Sequence, residues 1–313
     1  MTSKASAPGK VILFGEHFVV HGVKAILCAI DKRITVSAQQ IPENKISIKS
    51  NIGNFENQPT KSIDEIQNEF RPFFYLAKKM IQENKANSGM EITINSEIPQ
   101  GVGLGSSSAC CVAAAAAISG VFSKKSKDEV LQLAIEAEKT IFPNTSGADC
   151  TVCTFGGMME YKRNEGHSKI HSEPKFHLVI ANSKMEHSTK EIVSAVQDFK
   201  EKNEQQFENF CNEEEKLIED ALSCIKNNDW NGVGLDVKKN QEFLESIGIS
   251  NEKLRKMIDV ANNSSYGSKI TGAGGGGCIF ALTDETNLQS TLDDLKEYEC
   301  FSAKIDYKGL DTF

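Results

Sequence analysis

The sequence lacks a long hydrophobic run and has no excess of positive charge. Its longest apolar stretch, residues 109–118, is about half of the ~20 residues that a membrane-spanning helix needs. The formal net charge of −8 argues against nucleic acid or an anionic membrane as the main partner. We therefore expect no nucleic-acid partner and no membrane association, and an anionic small molecule would need locally concentrated cations.

The chain also lacks the features of an exported, disulfide-bonded protein. Residues 1–8 contain no apolar segment of the kind that directs secretion. The nine cysteines are therefore expected to be reduced thiols in a cytoplasmic protein. Cys150 and Cys153 have the spacing of half a zinc or redox site, but no second pair follows, which favours a packing role.

Hydrophobic patterning predicts an α+β protein of two closely packed domains, which 313 residues can accommodate. The polar stretch 163–174 is interpreted as the boundary between a domain of residues 1–172 and a domain of residues 173–313. The predicted strands cover residues 11–14, 25–30, 34–38, 90–95, 158–162 and 176–181, with further strands near 269–282 and 301–307. Helices are predicted at 64–84, at 127–139 behind a capping box, at 189–200, and two or three times between 209 and 262.

A loop rich in glycine and serine precedes the longest apolar stretch. Gly101, Gly103 and Gly105 are followed directly by the three serines 106–108. Glycine lets backbone N–H groups approach phosphate oxygens, and the N-terminus of a following helix favours the same anion. The loop has neither the lysine of a Walker loop nor the Gly-x-Gly-x-x-Gly spacing of a dinucleotide fingerprint. The pattern favours a phosphate-binding loop over a simple tight turn.

A second glycine-rich segment, residues 272–277, contains five glycines in six residues. A flexible linker is the alternative interpretation, but this segment lies between the apolar residues Ile270 and Ile279. A glycine run in apolar surroundings is typical of close approach between the backbone and a ligand. We therefore predict a second ligand-contacting loop.

Four ionisable residues are candidates for chemistry. Glu138 falls on the apolar face of the helix 127–139, where an acid needs a cation or a metal as partner. A structural ion pair is the alternative there. Asp149 follows a turn of small residues, where a cap or turn role is the alternative. His17 and His21 are four residues apart, but they lack the His-Glu-x-x-His order of zinc hydrolases.

Taken in order, these segments resemble the GHMP kinase superfamily and, within it, the mevalonate kinases. Three motifs carry the resemblance over nearly the whole chain: Ala-Pro-Gly-Lys at residues 7–10, Pro-x-x-x-Gly-Leu-Gly-Ser-Ser at 99–107, and Lys-Ile-Thr-Gly-Ala-Gly-Gly-Gly-Gly-Cys at 269–278. The segment Gly-Glu-His-x-Val-Val-His-Gly at 15–22 resembles mevalonate kinases in particular. The resemblance implies a ribosomal protein S5 domain 2-like N-terminal domain that binds ATP and a ferredoxin-like C-terminal domain.

The resemblance further implies phosphorylation of the 5-hydroxyl of mevalonate, with ATP and Mg²⁺ as cofactors, in a cytoplasmic homodimer. Asp149 would take the hydroxyl proton, a role typically worth ~10²–10⁴ in rate. Lys10 would keep Asp149 ionised and favour the developing alkoxide. Ser107 and Glu138 would hold Mg²⁺. The implied substrate contacts are Glu16, His17, Thr189 and Ala273, and the implied ATP contacts are Pro99, Gly101, Gly103, Leu104, Gly105, Ser106, Ser107, Ser108, Gly274 and Gly275.

Two departures from the family pattern leave questions open. The phosphate loop ends Ser-Ser-Ser-Ala rather than Ser-Ser-Ala-Ala, so that Ser106, Ser107 and Ser108 compete as the metal ligand. Thr145 replaces the proline of the common Asn-Pro-Ser-Gly segment. The alternative functions are a phosphomevalonate kinase, a mevalonate 3-kinase, a sugar kinase, or an inactive ligand-sensing relative. The last is disfavoured because Lys10, Glu138 and Asp149 are all retained.

Overall fold

The computed structural model describes residues 1–99, 102–163, 165–172, 174–186 and 188–313. Within these residues, two β-sheets are each covered by helices. The strands are β1 (Thr2–Phe14), β2 (Ala25–Ile41), β3 (Ile46–Ser50), β4 (Gly53–Asn57), β5 (Gly89–Ser96), β6 (Met158–Lys162), β7 (Gly166–Ile170), β8 (His177–Asn182), β9 (Gly267–Ile270), β10 (Cys278–Thr283), β11 (Glu299–Ala303) and β12 (Asp311–Thr312). The helices are α1 (Arg71–Glu83), α2 (Ser106–Gly120), α3 (Lys127–Lys139), α4 (Ala148–Phe155), α5 (Thr189–Lys202), α6 (Glu204–Asn227), α7 (Trp230–Ser246), α8 (Glu252–Ala261) and α9 (Leu288–Asp294).

The first sheet has the strand order β12-β1-β2-β5-β3-β4, with β6 on β2 and β7 on β6. The short strand β12 brings the end of the chain back to β1. Helix α2 lies against β1 and β2 and packs on α1, α3 and α4. Its alanines let it pack closely, and most of its residues are buried. This central helix places its N-terminus next to the end of the glycine-serine loop.

Strand β2 is continuous where the sequence pattern predicted two strands. The register between β1 and β2 shifts after Pro8, so that a bulge accommodates the polar residues between the two apolar runs. At this bulge, Arg33 donates hydrogen bonds to the carbonyl oxygens of Ser6 and Gly309 at 2.9 and 2.7 Å and pairs with Asp306. The predicted break was wrong because the polar residues mark a bulge that binds the C-terminal segment.

Two other segments also differ in secondary structure from the sequence pattern. Helix α1 begins at Arg71 rather than at residue 64, because Pro72 occupies its first turn and the preceding residues form a separate 3₁₀ turn, Ile63–Glu65. The polar stretch interpreted as the domain boundary contains β7, a strand that the sequence pattern did not predict and that pairs with β6. The helix α3 and its capping box between Ser126 and Glu129 are confirmed.

The second sheet is antiparallel with the order β11-β8-β10-β9. Strands and helices alternate as in a ferredoxin-like domain, in which one crossover is enlarged to the four helices α5 to α8. All nine cysteines are free thiols, and Cys150 and Cys153 are buried in α4, as expected for packing. Among the residues that the structure describes, no helix is both long and apolar enough to cross a membrane.

Candidate active site

The glycine-serine loop leads directly into the N-terminus of α2. Gly105 caps the helix with a φ of 71°, and Leu104 accepts a hydrogen bond of 2.9 Å from the backbone of Lys10. A Cβ atom at Gly105 would lie 2.6 Å from Cγ of Lys10, so only glycine fits between the loop and the lysine. The first backbone N–H groups of α2 have no partner within the helix, and such a helix end favours an anion.

Lys10 forms an ion pair with Asp149 across this helix end. The distance from Lys10 Nζ to Asp149 Oδ2 is 3.1 Å, and the lysine is buried while 35% of the Asp149 side chain is exposed. Asp149 lies in the first turn of α4, where the positive end of the helix dipole interacts favourably with its negative charge. The structure therefore joins a buried cation to an accessible carboxylate.

Glu138 lies next to this pair and is buried on α3, with a relative exposure of 3%. Its carboxylate accepts hydrogen bonds from the hydroxyls of Ser108 and Thr145. Burial raises the pKa of Glu138, and the Asp149 charge adds to this rise, whereas the two hydroxyls oppose it. The acid predicted on an apolar helix face is thus held by hydroxyl groups, and Ser108 rather than Ser107 is the serine that contacts it.

The second glycine-rich loop lies against the first. A Cβ atom at Gly103 would lie 3.1 Å from the carbonyl oxygen of Thr271, so the two loops touch through their backbones. Further along, Gly275 donates its N–H to the carbonyl oxygen of Ile249 at 2.7 Å. Gly274 packs against the same residue. The Gly275 amide is therefore engaged within the protein.

The turn that follows β1 meets the same loop. The Nε2 atom of His17 lies 2.8 Å from the carbonyl oxygen of Ala273. Since that oxygen can only accept, Nε2 carries the proton and Nδ1 is the acceptor in the neutral ring. Burial lowers the pKa of His17, which keeps the ring neutral. The preceding residue, Glu16, forms a buried ion pair with Lys269.

Two of the expected contacts lie outside these clusters, and a third falls outside the described residues. Thr189 is exposed at the first turn of α5, where Ser188 caps the helix. In the described part of the chain, Thr189 takes part neither in the hydrogen bond between His17 and Ala273 nor in the pair of Glu16 with Lys269. Pro99 is partly buried at the start of the glycine-serine loop, and Gly101 lies outside the described residues.

A cavity of about 240 Å³ opens beside the N-terminus of α2. It is lined by the turn between β3 and β4, by the start of α1, by β5, and by Ser106, Ser107 and Cys110 of α2. Its walls combine apolar side chains such as Phe73 with the polar side chain of Asn68. This mixture is typical of sites for small organic ligands.

Sequence reasoning missed two buried residues of the site, Lys269 and Glu214. Lys269 begins the third motif, but its partner Glu16 is 253 positions away. Glu214 lies on the apolar face of α6 with Phe207, Leu217 and Ile218. The pattern that identified Glu138, an acid on an apolar helix face, would also have identified Glu214.

The comparisons with known proteins identify the family of this chain. The family model for the GHMP kinases N terminal domain matches residues 72–157, and that for GHMP kinases C terminal matches residues 221–299. A mevalonate kinase of Methanocaldococcus jannaschii is 33% identical over 307 residues, which cover 93% of this chain and 95% of that protein. A mevalonate kinase of Archaeoglobus fulgidus is 34% identical over 283 residues, covering 89% and 91%.

A solved structure, that of the Methanococcus jannaschii mevalonate kinase, superimposes on the chain with a TM-score of 0.85. The two are 31% identical, and the match covers 97% of this chain and 98% of the other. The expected fold, with its N- and C-terminal GHMP kinase domains, is therefore confirmed. The chain belongs to the GHMP kinases and, within them, to the mevalonate kinase family.

Proposed function

We propose that this chain transfers the γ-phosphoryl group of ATP to the 5-hydroxyl of mevalonate, which yields 5-phosphomevalonate for isoprenoid biosynthesis. The observation that carries the proposal is the 3.1 Å contact between Lys10 Nζ and Asp149 Oδ2 beside the N-terminus of α2. Phosphate binding at the helix end would bring the γ-phosphorus to an accessible carboxylate and a buried cation.

The reaction follows from these groups. The hydroxyl oxygen attacks the γ-phosphorus, the bond from that phosphorus to the bridging oxygen breaks, and ADP leaves. Asp149 accepts the hydroxyl proton, while Lys10 stabilises the negative charge that develops on the oxygen. Most of the rate should come from positioning and charge stabilisation, as in phosphoryl transfer generally.

The oxygen donors around Glu138 fit a magnesium site. Among the described residues, no group of three or more His, Cys, Asp or Glu side chains could hold a metal. Mg²⁺ typically needs only one or two carboxylates together with substrate phosphates and water. We propose that Glu138 and a loop serine hold it, and Ser108 joins Ser107 as a candidate because it contacts Glu138. When bound, Mg²⁺ would neutralise part of the negative charge of the ATP phosphates.

The cavity beside α2 suits the nucleoside of ATP. Its lining includes Ser106 and Ser107, so a nucleoside bound there would have its phosphates at the N-terminus of the helix. The proposed phosphate contacts include the loop residues from Pro99 to Ser108. We also propose that the backbone of Gly274 and Gly275 contacts ATP. Because the Gly275 amide donates to the carbonyl oxygen of Ile249, this contact would be one of packing rather than a hydrogen bond from that amide.

On the substrate side, the neutral His17 ring offers Nδ1 as an acceptor for a hydroxyl group. We propose that His17, Ala273 and Thr189 surround mevalonate, with Thr189 contributing from the start of α5. Glu16, whose side chain is buried, would support this wall from the position before His17. We also propose that the domains divide at residues 172 and 173, since each sheet lies mainly on one side of that point. The homodimer, the cytoplasmic location and the absence of nucleic-acid and membrane partners stay predictions.

The test is a measurement of ADP release with mevalonate, phosphomevalonate, homoserine and galactose, followed by NMR of the product. We expect kcat/KM for mevalonate to exceed that of the other alcohols by at least about 100-fold, because a site built for particular hydroxyl groups rejects others strongly. The phosphate should be on the oxygen of C5. Turnover of another alcohol at a similar rate, or phosphate on the C3 oxygen, would contradict the proposal.

A further inference from the structure

Three buried charged side chains lie behind the turn that carries His17. Glu16 is 1% exposed, and Lys269 and Glu214 are each 0% exposed. Lys269 Nζ pairs with Glu16 and lies 5.4 Å from the centre of the Phe280 ring. The other Glu16 oxygen is buried without a hydrogen-bond partner, so Lys269 is the main compensation for its charge.

Glu214 binds the same turn at its backbone. Its Oε1 atom accepts the N–H of Gly15 at 2.9 Å, and its Oε2 atom accepts a hydrogen bond from Nδ2 of Asn240 at 2.6 Å. The two side chains come from α6 and α7, whereas Gly15 directly follows β1. Helices of the C-terminal half therefore hold a turn of the N-terminal half.

The backbone of this turn is strained. His17 has φ 61° and ψ −37°, and Phe18 donates its N–H to the carbonyl oxygen of Glu16 at 2.7 Å. This is a three-residue γ-turn of the positive-φ form, which is rare and costs of the order of 1–3 kcal/mol for a non-glycine residue. Such a conformation persists only when the surrounding contacts hold it.

Contacts hold the turn on both sides. Before His17, they are those of Gly15 with Glu214 and of Glu16 with Lys269. After it, the Phe207 ring packs 5.7 Å from the Phe18 ring and 4.8 Å from the His21 ring, measured between centres. Phe207 and Glu214 are seven residues apart on one buried face of α6.

We propose that Glu214 and Lys269 are positioning residues for the alcohol substrate: they hold Gly15 and Glu16, and so keep the strained turn that orients His17. This inference rests on the proposed function, in which His17 contacts mevalonate. Among the described residues, the hydrogen bonds and ion pairs of these two side chains go to Gly15, Asn240 and Glu16 rather than to the phosphate loop. We therefore expect their effect on the binding of the alcohol rather than of ATP.

The ionisation of Glu214 should also make the KM for mevalonate depend on pH. Burial, with the neighbouring Glu16 carboxylate, raises the pKa of Glu214 to about 7, while Lys269 and the hydrogen bond from Asn240 oppose this rise. The groups that face it are Glu16 from the turn and Lys269 from β9. An ionised carboxylate accepts the Gly15 amide more strongly than a protonated one. The KM for mevalonate should therefore fall as the pH rises through about 7.

The experiment compares Glu214→Ala, Glu214→Gln and a matched control, Glu219→Ala, which changes an exposed glutamate on the same helix. In Glu214→Ala the KM for mevalonate should rise about 10- to 100-fold, because small misplacements of substrate-orienting groups have effects of this size. The KM for ATP should stay within about twofold of wild type. Glu219→Ala should match wild type in both.

The conservative variant separates geometry from charge. In Glu214→Gln, the amide oxygen of the new side chain can still accept the Gly15 N–H. Asn240 can rotate to offer its Oδ1 atom, which has no partner in the wild type, to the new amide group. Glu214→Gln should therefore restore a KM near that of wild type but abolish its change around pH 7. If Glu214→Ala does not fold, the pH dependence of the KM for mevalonate in Glu214→Gln and wild type tests the proposal by itself.

The inference is overturned if Glu214→Ala leaves the KM for mevalonate unchanged, if the KM values for both substrates rise together, or if Glu214→Gln keeps the wild-type pH profile. The ring tautomer of His17, read by ¹⁵N NMR without substrate, should change in Glu214→Ala and not in Glu219→Ala. A wild-type protein that does not phosphorylate mevalonate contradicts the proposed function, whereas an unchanged His17 tautomer contradicts the positioning role.

Discussion

The cluster of Lys10, Asp149 and Glu138 and the cluster of Lys269, Glu16 and Glu214 contain the same chemical groups in different surroundings. Each combines one lysine with two carboxylates. In the first, Asp149 has 35% of its side chain exposed. In the second, all three side chains are essentially buried. The accessible cluster can meet substrate, whereas the enclosed one can act only through the residues that it contacts.

The difference also affects energetics. Water can solvate Asp149 when its partner is absent, so the Lys10–Asp149 pair should contribute little to stability. Removal of Lys269 would leave a buried carboxylate without its cation, which is strongly destabilising. We therefore expect substitutions in the first cluster to lower the rate, and substitutions in the second to lower stability and substrate affinity.

The largest expected effect is on the rate of Asp149→Asn. The variant keeps the shape of the side chain but cannot accept the hydroxyl proton, so kcat should fall by ~10²–10⁴. Steady-state ADP release measures it, and Asp128→Asn, on the exposed first turn of α3, is the matched control. A variant with full activity would exclude Asp149 as the proton acceptor.

The next effect is a difference in unfolding free energy between substitutions of Lys269 and of Lys10. Lys269→Met should lower the free energy of unfolding by about 3 kcal/mol or more, because Glu16 stays buried without its partner. Lys10→Met should cost about 1 kcal/mol or less, because water reaches Asp149. Urea unfolding at pH 7 measures both, and equal losses would show that the two clusters do not differ in this way.

A smaller effect concerns the junction of the loop and α2. Gly105→Ala should lower stability by about 1–2 kcal/mol because of its positive φ. It should also lower kcat, since its Cβ would displace Lys10. Gly166→Ala is the control, with a φ of 88° and no atom within 4 Å of the added Cβ. It should lose stability but keep its activity; a similar loss of kcat in both would reject the steric explanation.

The smallest effect is the pH dependence of stability that Glu214 contributes. Its pKa rises from an ordinary 4.5 to about 7 on folding, so between these values the folded chain holds a proton that the unfolded chain has released. The stabilisation is complete below pH 4.5 and is lost as the pH rises through about 7. Relative to Glu214→Gln, the wild type should lose about 1 kcal/mol or more between about pH 5 and pH 8. Parallel unfolding curves for the two proteins would contradict this.

Features that depend on neighbouring residues could be predicted from the sequence. The capping box of α3, the acid on its apolar face and the glycine-rich helix start all follow from local spacing, and the structure has each of them. The contact of Lys10 with Asp149 was expected from the resemblance to the family. The sequence does not predict which serine contacts Glu138, because the three adjacent serines are chemically alike. The helix geometry brings Ser108 to the carboxylate.

The sequence alone therefore determined the family, the helices and strands in outline, and the residue types of the phosphate-binding loop, because these depend on short-range periodicity, backbone conformation and motif order. Only the tertiary structure decided which distant residues meet. Gly15 and Glu214 are 199 positions apart, and Glu16 and Lys269 are 253 apart. Their pairing depends on how the second sheet and its helices pack against the end of β1, and no local pattern at either position encodes it.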